Sequence, residues 1–118
     1  MLIANDKTIK EIQETFHARF PQLKIEFYRT AHQVGEGNPN REKLDTALLI
    51  SQIRSADTTG ELSINGHLKV SSLEGRFADT FGLNVQVFRK SGNLWLQTTK
   101  TDNWTLSALD KHAAAFVQ

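Results

Sequence analysis

The sequence predicts an α+β fold made of two tandem β-α-β-β-type repeats, 1–59 and 60–118, that form a single pseudo-symmetric domain. Three observations support this class: a segment that occurs twice, an apolar stripe of helical spacing in each copy, and an alternating apolar run after each stripe. Two repeats are too few for an open stack. We therefore expect them to share one core and one mixed sheet, with the helices mainly on one face.

The repeated segment covers residues 9–29 in the first copy and 70–89 in the second, which is shorter by one residue at its turn. When the two copies are aligned, apolar positions of one correspond to apolar positions of the other throughout. Both copies end in an aromatic residue followed by arginine, Tyr28-Arg29 and Phe88-Arg89. This agreement predicts that the two copies have the same local structure.

Each copy is expected to open with a short edge strand, at 2–3 and 62–64, and to continue into a helix, at 8–20 and 69–81. The helices follow from apolar residues spaced three and four apart. Thr8 is the predicted N-cap of the first helix, since a glutamate three residues later completes a capping box.

One strand is predicted after each helix, at 23–28 and 83–88, because apolar and polar residues alternate there. In the second copy, a loop of Ser91-Gly92 is expected to form a hairpin in which Phe88 pairs with Trp95. The predicted core consists of apolar residues from the helix stripes and the inward strand positions: Ile9, Ile12, Phe16, Phe20, Leu23, Ile25, Phe27, Val70, Leu73, Phe77, Phe81, Val85, Val87 and Leu96.

The first copy has a long loop, 32–41, where the second copy has its hairpin. A short helix is expected to close each half, at 49–53 and at 105–109, and the second of these should continue through Phe116. Loops of this length in a compact domain are often functional or mobile. The difference between the copies is therefore where a specific site is expected.

Composition excludes several kinds of chemistry. The chain has no cysteine, which rules out disulfides and thiolate metal sites and fits a reducing cytoplasm. Its 14 basic and 13 acidic side chains give a net charge of +1, which disfavours nucleic acid as a partner. No segment has the apolar length of a signal peptide core or of a membrane span. We expect a cytoplasmic protein with no membrane partner.

No pattern of catalytic or metal-binding residues occurs in the sequence. The four histidines have no close ligand spacing, and the Gly-x-Ser-x-Gly motif of hydrolases is absent. We therefore predict no catalytic residue, no metal and no cofactor. An enzyme stays an open alternative, because acid–base groups need only be close in space, but a non-enzymatic protein is favoured.

Five residues are predicted as a binding site: Tyr28, Arg29, Phe88, Arg89 and Trp95. The aromatic residues belong to the more polar sheet face, where they could form a platform for a base or a peptide side chain. The alternative is that they form ordinary cross-strand pairs, covered by the short helices or by a partner subunit. The two arginines could clamp a carboxylate or a phosphate, or could form ordinary surface pairs.

The run 81–96 (FGLNVQVFRKSGNLWL), followed by Trp104-Thr105-Leu106, resembles a family of small uncharacterised bacterial proteins found mainly in Bacteroidetes. The run 23–28 (LKIEFY), followed by His32 and Gly35-Glu36-Gly37, is similar to the same family. The similarity spans most of the chain and both repeats. It implies a stand-alone cytosolic protein of this size, and the family has no assigned activity from which a functional residue could be transferred.

Three functional hypotheses follow. The favoured one is a small non-enzymatic binding or protein-interaction module that uses the five predicted residues. The second is an enzyme or small-ligand sensor with a pocket between the repeats, and the third is a weak single-stranded nucleic-acid binder. Separately, a homodimer could cover an edge strand or the aromatic residues.

Overall fold

The computed structural model describes residues 1–31 and 36–115, and in it the two long helices and the strands that follow them form where the apolar spacing predicts them. Two short 3-10 turns, Asn40–Glu42 and Ile50–Gln52, lie in the first half, and the second of them replaces a predicted short helix. Phe116, predicted in the last helix, lies outside the described residues. The regular elements are β1 (Leu2–Ile3), α1 (Ile9–Arg19), β2 (Leu23–Tyr28), β3 (Gly60–Glu61), α2 (Val70–Phe81), β4 (Asn84–Ser91), β5 (Leu94–Gln97) and α3 (Leu106–Ala115).

The strands form two antiparallel sheets, and the predicted single mixed sheet is wrong. β1 pairs with β3, and a separate sheet has the order β2-β4-β5. Each strand of the first half pairs with the strand in the corresponding place of the second half, and the two run in opposite directions. No parallel pair therefore arises among the described strands. The predicted edge strand 62–64 is also displaced, because β3 ends at Glu61.

One hydrophobic core joins both halves. Alternate residues of β2 and β4 turn one sheet face toward the apolar stripes of the three α-helices, and these side chains are buried together. Leu96 is the exception in the predicted core, with 38% of its surface exposed, because β5 lies at the edge of the sheet. The other predicted core residues are buried: Ile9, Ile12, Phe16, Phe20, Leu23, Ile25, Phe27, Val70, Leu73, Phe77, Phe81, Val85 and Val87.

The helix N-termini are satisfied by the same hydrogen-bond pattern in both halves. In each half, the first two N–H groups of the long helix donate to carbonyls of the turn that precedes the next helical element. The first two N–H groups of that next element donate to carbonyls of the turn that precedes the long helix. Thr8 adds the predicted capping box with Glu11, whereas Lys69, before α2, adds no side-chain bond. The pairs, donor first, are Ile9–Leu48, Lys10–Thr46, Ile50–Lys7 and Ser51–Asn5, then Val70–Trp104, Ser71–Asp102, Leu106–Leu68 and Ser107–Gly66.

The β4–β5 hairpin turns one residue later than predicted, so the predicted position of its loop is wrong. Its loop is Gly92-Asn93, so Lys90 lies opposite Trp95 and Phe88 lies opposite Gln97. The loop glycine has a φ of 60°, and the asparagine has no positive φ, which is the geometry of a type II′ turn. The register moves by two residues, which is the period of a strand, so the two aromatic residues still share one face.

Candidate interaction surface

The second face of the β2-β4-β5 sheet carries polar and aromatic residues, and one end of it is buried; Asn38 is bonded to Gln97 and Thr30 there, and Lys43 forms a bridge with Tyr28. Asn38 is buried there and exchanges two hydrogen bonds with the Gln97 side chain, at 2.9 Å from its N–H and 2.8 Å to its C=O. Tyr28 and Gln86 occupy this end and are buried. Burial, reinforced by a neighbouring carboxylate, raises the pKa of Tyr28 to about 12.

The other end of this face is open and carries Lys24, Phe88, Lys90 and Trp95, which we call the aromatic face; all four are partly exposed. Lys24 Nζ lies 5.3 Å from the centre of the Phe88 ring and 5.0 Å from the centre of the Trp95 ring. One ammonium group therefore contacts both rings in cation–π geometry. In the part of the chain that the structure describes, neither lysine has a carboxylate within ion-pair distance.

A pocket of about 220 Å³ adjoins the aromatic face, between α1 and β2. Its lining includes Gln13, His17 and Trp95. His17 Nδ1 lies 2.8 Å from the Leu23 carbonyl oxygen, so Nδ1 carries a proton and donates it to that oxygen. The histidine and tryptophan rings meet edge-on with their centres 6.0 Å apart. The pocket thus extends the aromatic face toward α1.

Part of the predicted five-residue site is assembled here. Phe88 and Trp95 lie together on the open end, whereas Tyr28 lies on the same face at its buried end, where Tyr28 forms a backbone bridge with Lys43. Arg29 lies beyond the end of β2, and its Nε is 3.7 Å from a carboxylate oxygen of Glu42. Only the two aromatic residues of the second half therefore meet on open surface.

The two arginines of the predicted site lie far apart. Because β2 and β4 are antiparallel, Arg89 lies opposite Leu23 at the start of β2, whereas Arg29 follows its end. The separation along the strand is about 20 Å at roughly 3.3 Å per residue. Strand alternation also places Arg89 on the helix side of the sheet, so the two arginines cannot clamp one anion.

The two lysines of the aromatic face were not among the predicted site residues, although the sequence carries their signal. Lys24 is an even-numbered residue of β2 like Tyr28, and Lys90 is an even-numbered residue of β4 like Phe88. A period of two places each lysine on the face of its aromatic neighbour. The contact between Lys24 and Trp95 depends on how three strands pair. The sequence does not determine that pairing.

The outer edge of β2 is closed by side chains and by the following segment. The odd-numbered residues of β2 turn their backbone groups away from β4, and their carbonyls are bonded. A closed edge prevents other strands from pairing with the sheet. The acceptors are Leu23 O from His17 Nδ1, Ile25 O from Gln13 Nε2 and Phe27 O from Leu44 N, each at 2.8 Å.

The opposite edge, formed by β5, is open. Trp95 and Gln97 turn their backbone N–H and C=O groups outward, and within residues 1–31 and 36–115 these groups make no backbone bond. Leu94 is 66% exposed and Leu96 38% exposed along this strand. β5 contains no proline and no charged residue, the features that usually protect an edge.

A second cavity of about 220 Å³ lies beside α2 and the start of β4, and Glu74 lines it. Glu74 is buried and accepts the N–H of Val87 at 2.9 Å. Burial raises the pKa of Glu74 to about 8; the Val87 hydrogen bond opposes this shift and Asp102 adds to it. Ala31, which also lines this cavity, is the last described residue before 32–35, so no site is assigned to the cavity.

Among the described side chains, no group of three or more histidine, aspartate or glutamate residues could hold a metal ion. None of the described helices is both long and apolar enough to cross a membrane. Comparison of the chain with protein-family models, with curated proteins and with solved structures gave no match. Function is therefore inferred from the geometry of the aromatic face and of the β5 edge.

Proposed function

We propose that this chain is a small non-enzymatic binding module whose contact surface is the aromatic face together with the neighbouring edge of β5. The observation that carries the proposal is the position of Lys24 over the Phe88 and Trp95 rings on an open part of the sheet. Aromatic residues are enriched in the anchors of protein interfaces, because they combine a large apolar area with a polar or charge-attracting group.

A role in folding alone accounts poorly for this surface. The aromatic residues of the core, such as Phe16 and Phe77, are completely buried, whereas Phe88 and Trp95 are partly exposed. Leu94 and Leu96 extend the apolar surface along β5. Apolar groups that are clustered on a surface, rather than scattered singly, are typical of a contact site.

The proposal is tested by selecting peptides from a phage-displayed library against the full chain and measuring their affinity for purified variants. We expect Trp95→Ala to weaken the selected peptides by about 30-fold or more, the loss typical of an interface hot spot, while the protein stays folded by circular dichroism. Trp104→Ala is the matched control, because Trp104 is also exposed, at 37%, but lies at the start of α3.

Two results would refute the proposal. If Trp95→Ala unfolds the protein, the aromatic face belongs to the folding core. If the library yields no binder, or binders that are equally sensitive to Trp104→Ala, the aromatic face is not the contact surface.

We also infer that the halves 1–59 and 60–118 are copies of one unit related by pseudo-symmetry. The shared apolar pattern, the matching hydrogen bonds at the helix N-termini and the pairing of β1 with β3 and of β2 with β4 support this. The proposed surface then lies where the copies differ, at the hairpin that carries Trp95. The cytoplasm is the proposed location, which the absence of cysteine favours.

A further inference from the structure

We infer that the partner of the proposed binding surface is an acidic, extended peptide segment that adds to β5 as a further strand of the sheet. This inference rests on the proposed binding function. It adds the chemical character of the partner and the way in which it binds.

The contrast between the two sheet edges supports strand addition. The side chains of Gln13 and His17 form hydrogen bonds to the outward carbonyls of β2. That edge therefore cannot accept another strand. The outward backbone groups of Trp95 and Gln97 on β5 make no backbone bond within residues 1–31 and 36–115, so in this part of the chain they can pair with a backbone that lies alongside. Addition of a strand to an open edge is a common way of binding peptides, in which backbone bonds give affinity and alternate side chains give specificity.

The side chains of β5 provide contacts on both sides of an added strand. Trp95 belongs to the aromatic face, whereas Leu94 and Leu96 point to the other face of the sheet. Successive side chains of a bound strand would alternate in the same way. One set would contact Trp95, with Lys90 on the neighbouring strand β4, and the other would contact the two leucines.

The charges around the hairpin select an acidic segment. Lys24 and Lys90 lie on the aromatic face, Arg89 lies on the other face opposite Leu96, and Lys100 follows β5. None of these four cations has an ion-pair partner in the described part of the chain. Acidic side chains on either side of an added strand would therefore find an opposite charge, which favours encounter and register.

A second copy of the chain is a poorer occupant. β5 has four residues, of which two turn their backbone groups outward, so a pair of β5 strands would form a small contact. Stable protein interfaces bury about 1,200–2,000 Å² in total. A second copy would also bring the same four cations to the contact.

Single-stranded nucleic acid is also a poorer occupant. A base that stacks on Phe88 or Trp95 competes with the Lys24 ammonium group, which already lies over both rings. The net charge of the chain is +1, and nucleic-acid affinity depends on many phosphate contacts. The open backbone groups of β5 would have no nucleotide counterpart.

The test uses a capped decapeptide of alternating glutamate and valine, with an alternating lysine and valine decapeptide as the control. Both are titrated into the ¹⁵N-labelled full chain. We expect the acidic peptide alone to bind and to slow amide hydrogen exchange of Trp95 and Gln97 by about tenfold or more at saturation. The Leu96 amide, which already faces β4, is the internal reference.

Charge variants test the acidic character of the partner. Lys90→Glu should weaken the acidic peptide by about tenfold, because it removes one favourable charge and adds a repulsive one. Lys10→Glu makes the same change in net charge on an exposed site near the start of α1 and should leave the affinity unchanged.

Four outcomes would overturn the inference. Suppose that binding is lost in Trp95→Ala, but that the peptide does not protect the Trp95 and Gln97 amides of the unsubstituted chain. The partner then does not add as a strand, and the proposed binding function is retained. Failure of the acidic peptide to bind, while library-selected peptides do bind, removes the acidic partner alone. Protection of the same amides in a concentrated, dimeric free protein assigns the edge to a second copy. Tighter binding of a thymidine oligonucleotide on the aromatic face assigns that face to nucleic acid.

Discussion

Glu74 is a carboxyl group that its surroundings keep protonated near neutral pH. Its pKa is raised from 4.5 to about 8, chiefly by burial, with Asp102 adding to the shift and the Val87 N–H opposing it. A group whose pKa is higher in the folded chain than in the unfolded chain binds its proton more tightly when folded. Its contribution to stability is present in full below about pH 4.5 and is lost as the pH rises through 8.

We expect Glu74→Gln to flatten the fall in the free energy of unfolding between pH 5 and pH 8. The change in slope should be up to about 1.4 kcal/mol per pH unit, the limit for one proton. Glutamine carries no charge, and its Oε1 can still accept the Val87 N–H. Urea denaturation at several pH values measures the slope.

Glu14→Gln is the control for this prediction, because Glu14 is an exposed glutamate on α1. It should leave the slope unchanged. A Glu74→Gln variant with the slope of the wild type would show that Glu74 is ionised in the folded protein.

Replacement of two glycines by alanine is expected to change the stability of the protein in opposite directions, because the glycines lie in different kinds of element. Gly92 is the first residue of the β4–β5 turn, with a φ of 60°, so Gly92→Ala should destabilise the protein by about 1 kcal/mol or more. Gly75 lies inside α2, and, apart from its chain neighbours and the backbone of its own helix, no described atom lies within 4 Å of an added Cβ. Gly75→Ala should therefore stabilise the protein by about 0.5–1 kcal/mol.

Thermal unfolding of both variants at one pH checks this pair of predictions. A stabilising Gly92→Ala would contradict the type II′ turn and with it the register that places Trp95 opposite Lys90. A destabilising Gly75→Ala would indicate that the space beside α2 is filled.

Elements with a strong period were predicted closely, and elements without one were not. The predicted helices 8–20 and 69–81 agree with α1 and α2 to about one residue at each end, within the usual uncertainty of helix boundaries. The two-residue strand β3 has no period to detect, and it forms at Gly60–Glu61 because β1 lies beside it. Turn position was mistaken because Ser91-Gly92 and Gly92-Asn93 both contain turn-forming residues.

The two halves of the molecule should fold only together. β1 pairs with β3 and β2 with β4, so each half supplies strands that the other needs, and one core contains residues of both. We expect fragments 1–59 and 60–118 to be unfolded separately and to regain the helical circular dichroism signal when mixed. A dispersed NMR spectrum from either fragment alone would contradict this, and the intact chain under the same conditions is the control.

For the complete chain, the amino-acid pattern alone predicts the α+β class, the long helices, the strands β2 and β4 and most of the core, because these depend on local apolar periodicity. The pairing of the strands, the position of the two arginines at opposite ends of β2, and the burial of Tyr28 beside partly exposed Phe88 and Trp95 follow from the three-dimensional fold. Pairing, burial and edge protection depend on contacts between residues far apart in the chain. A single period of two or 3.6 residues contains no information about those contacts.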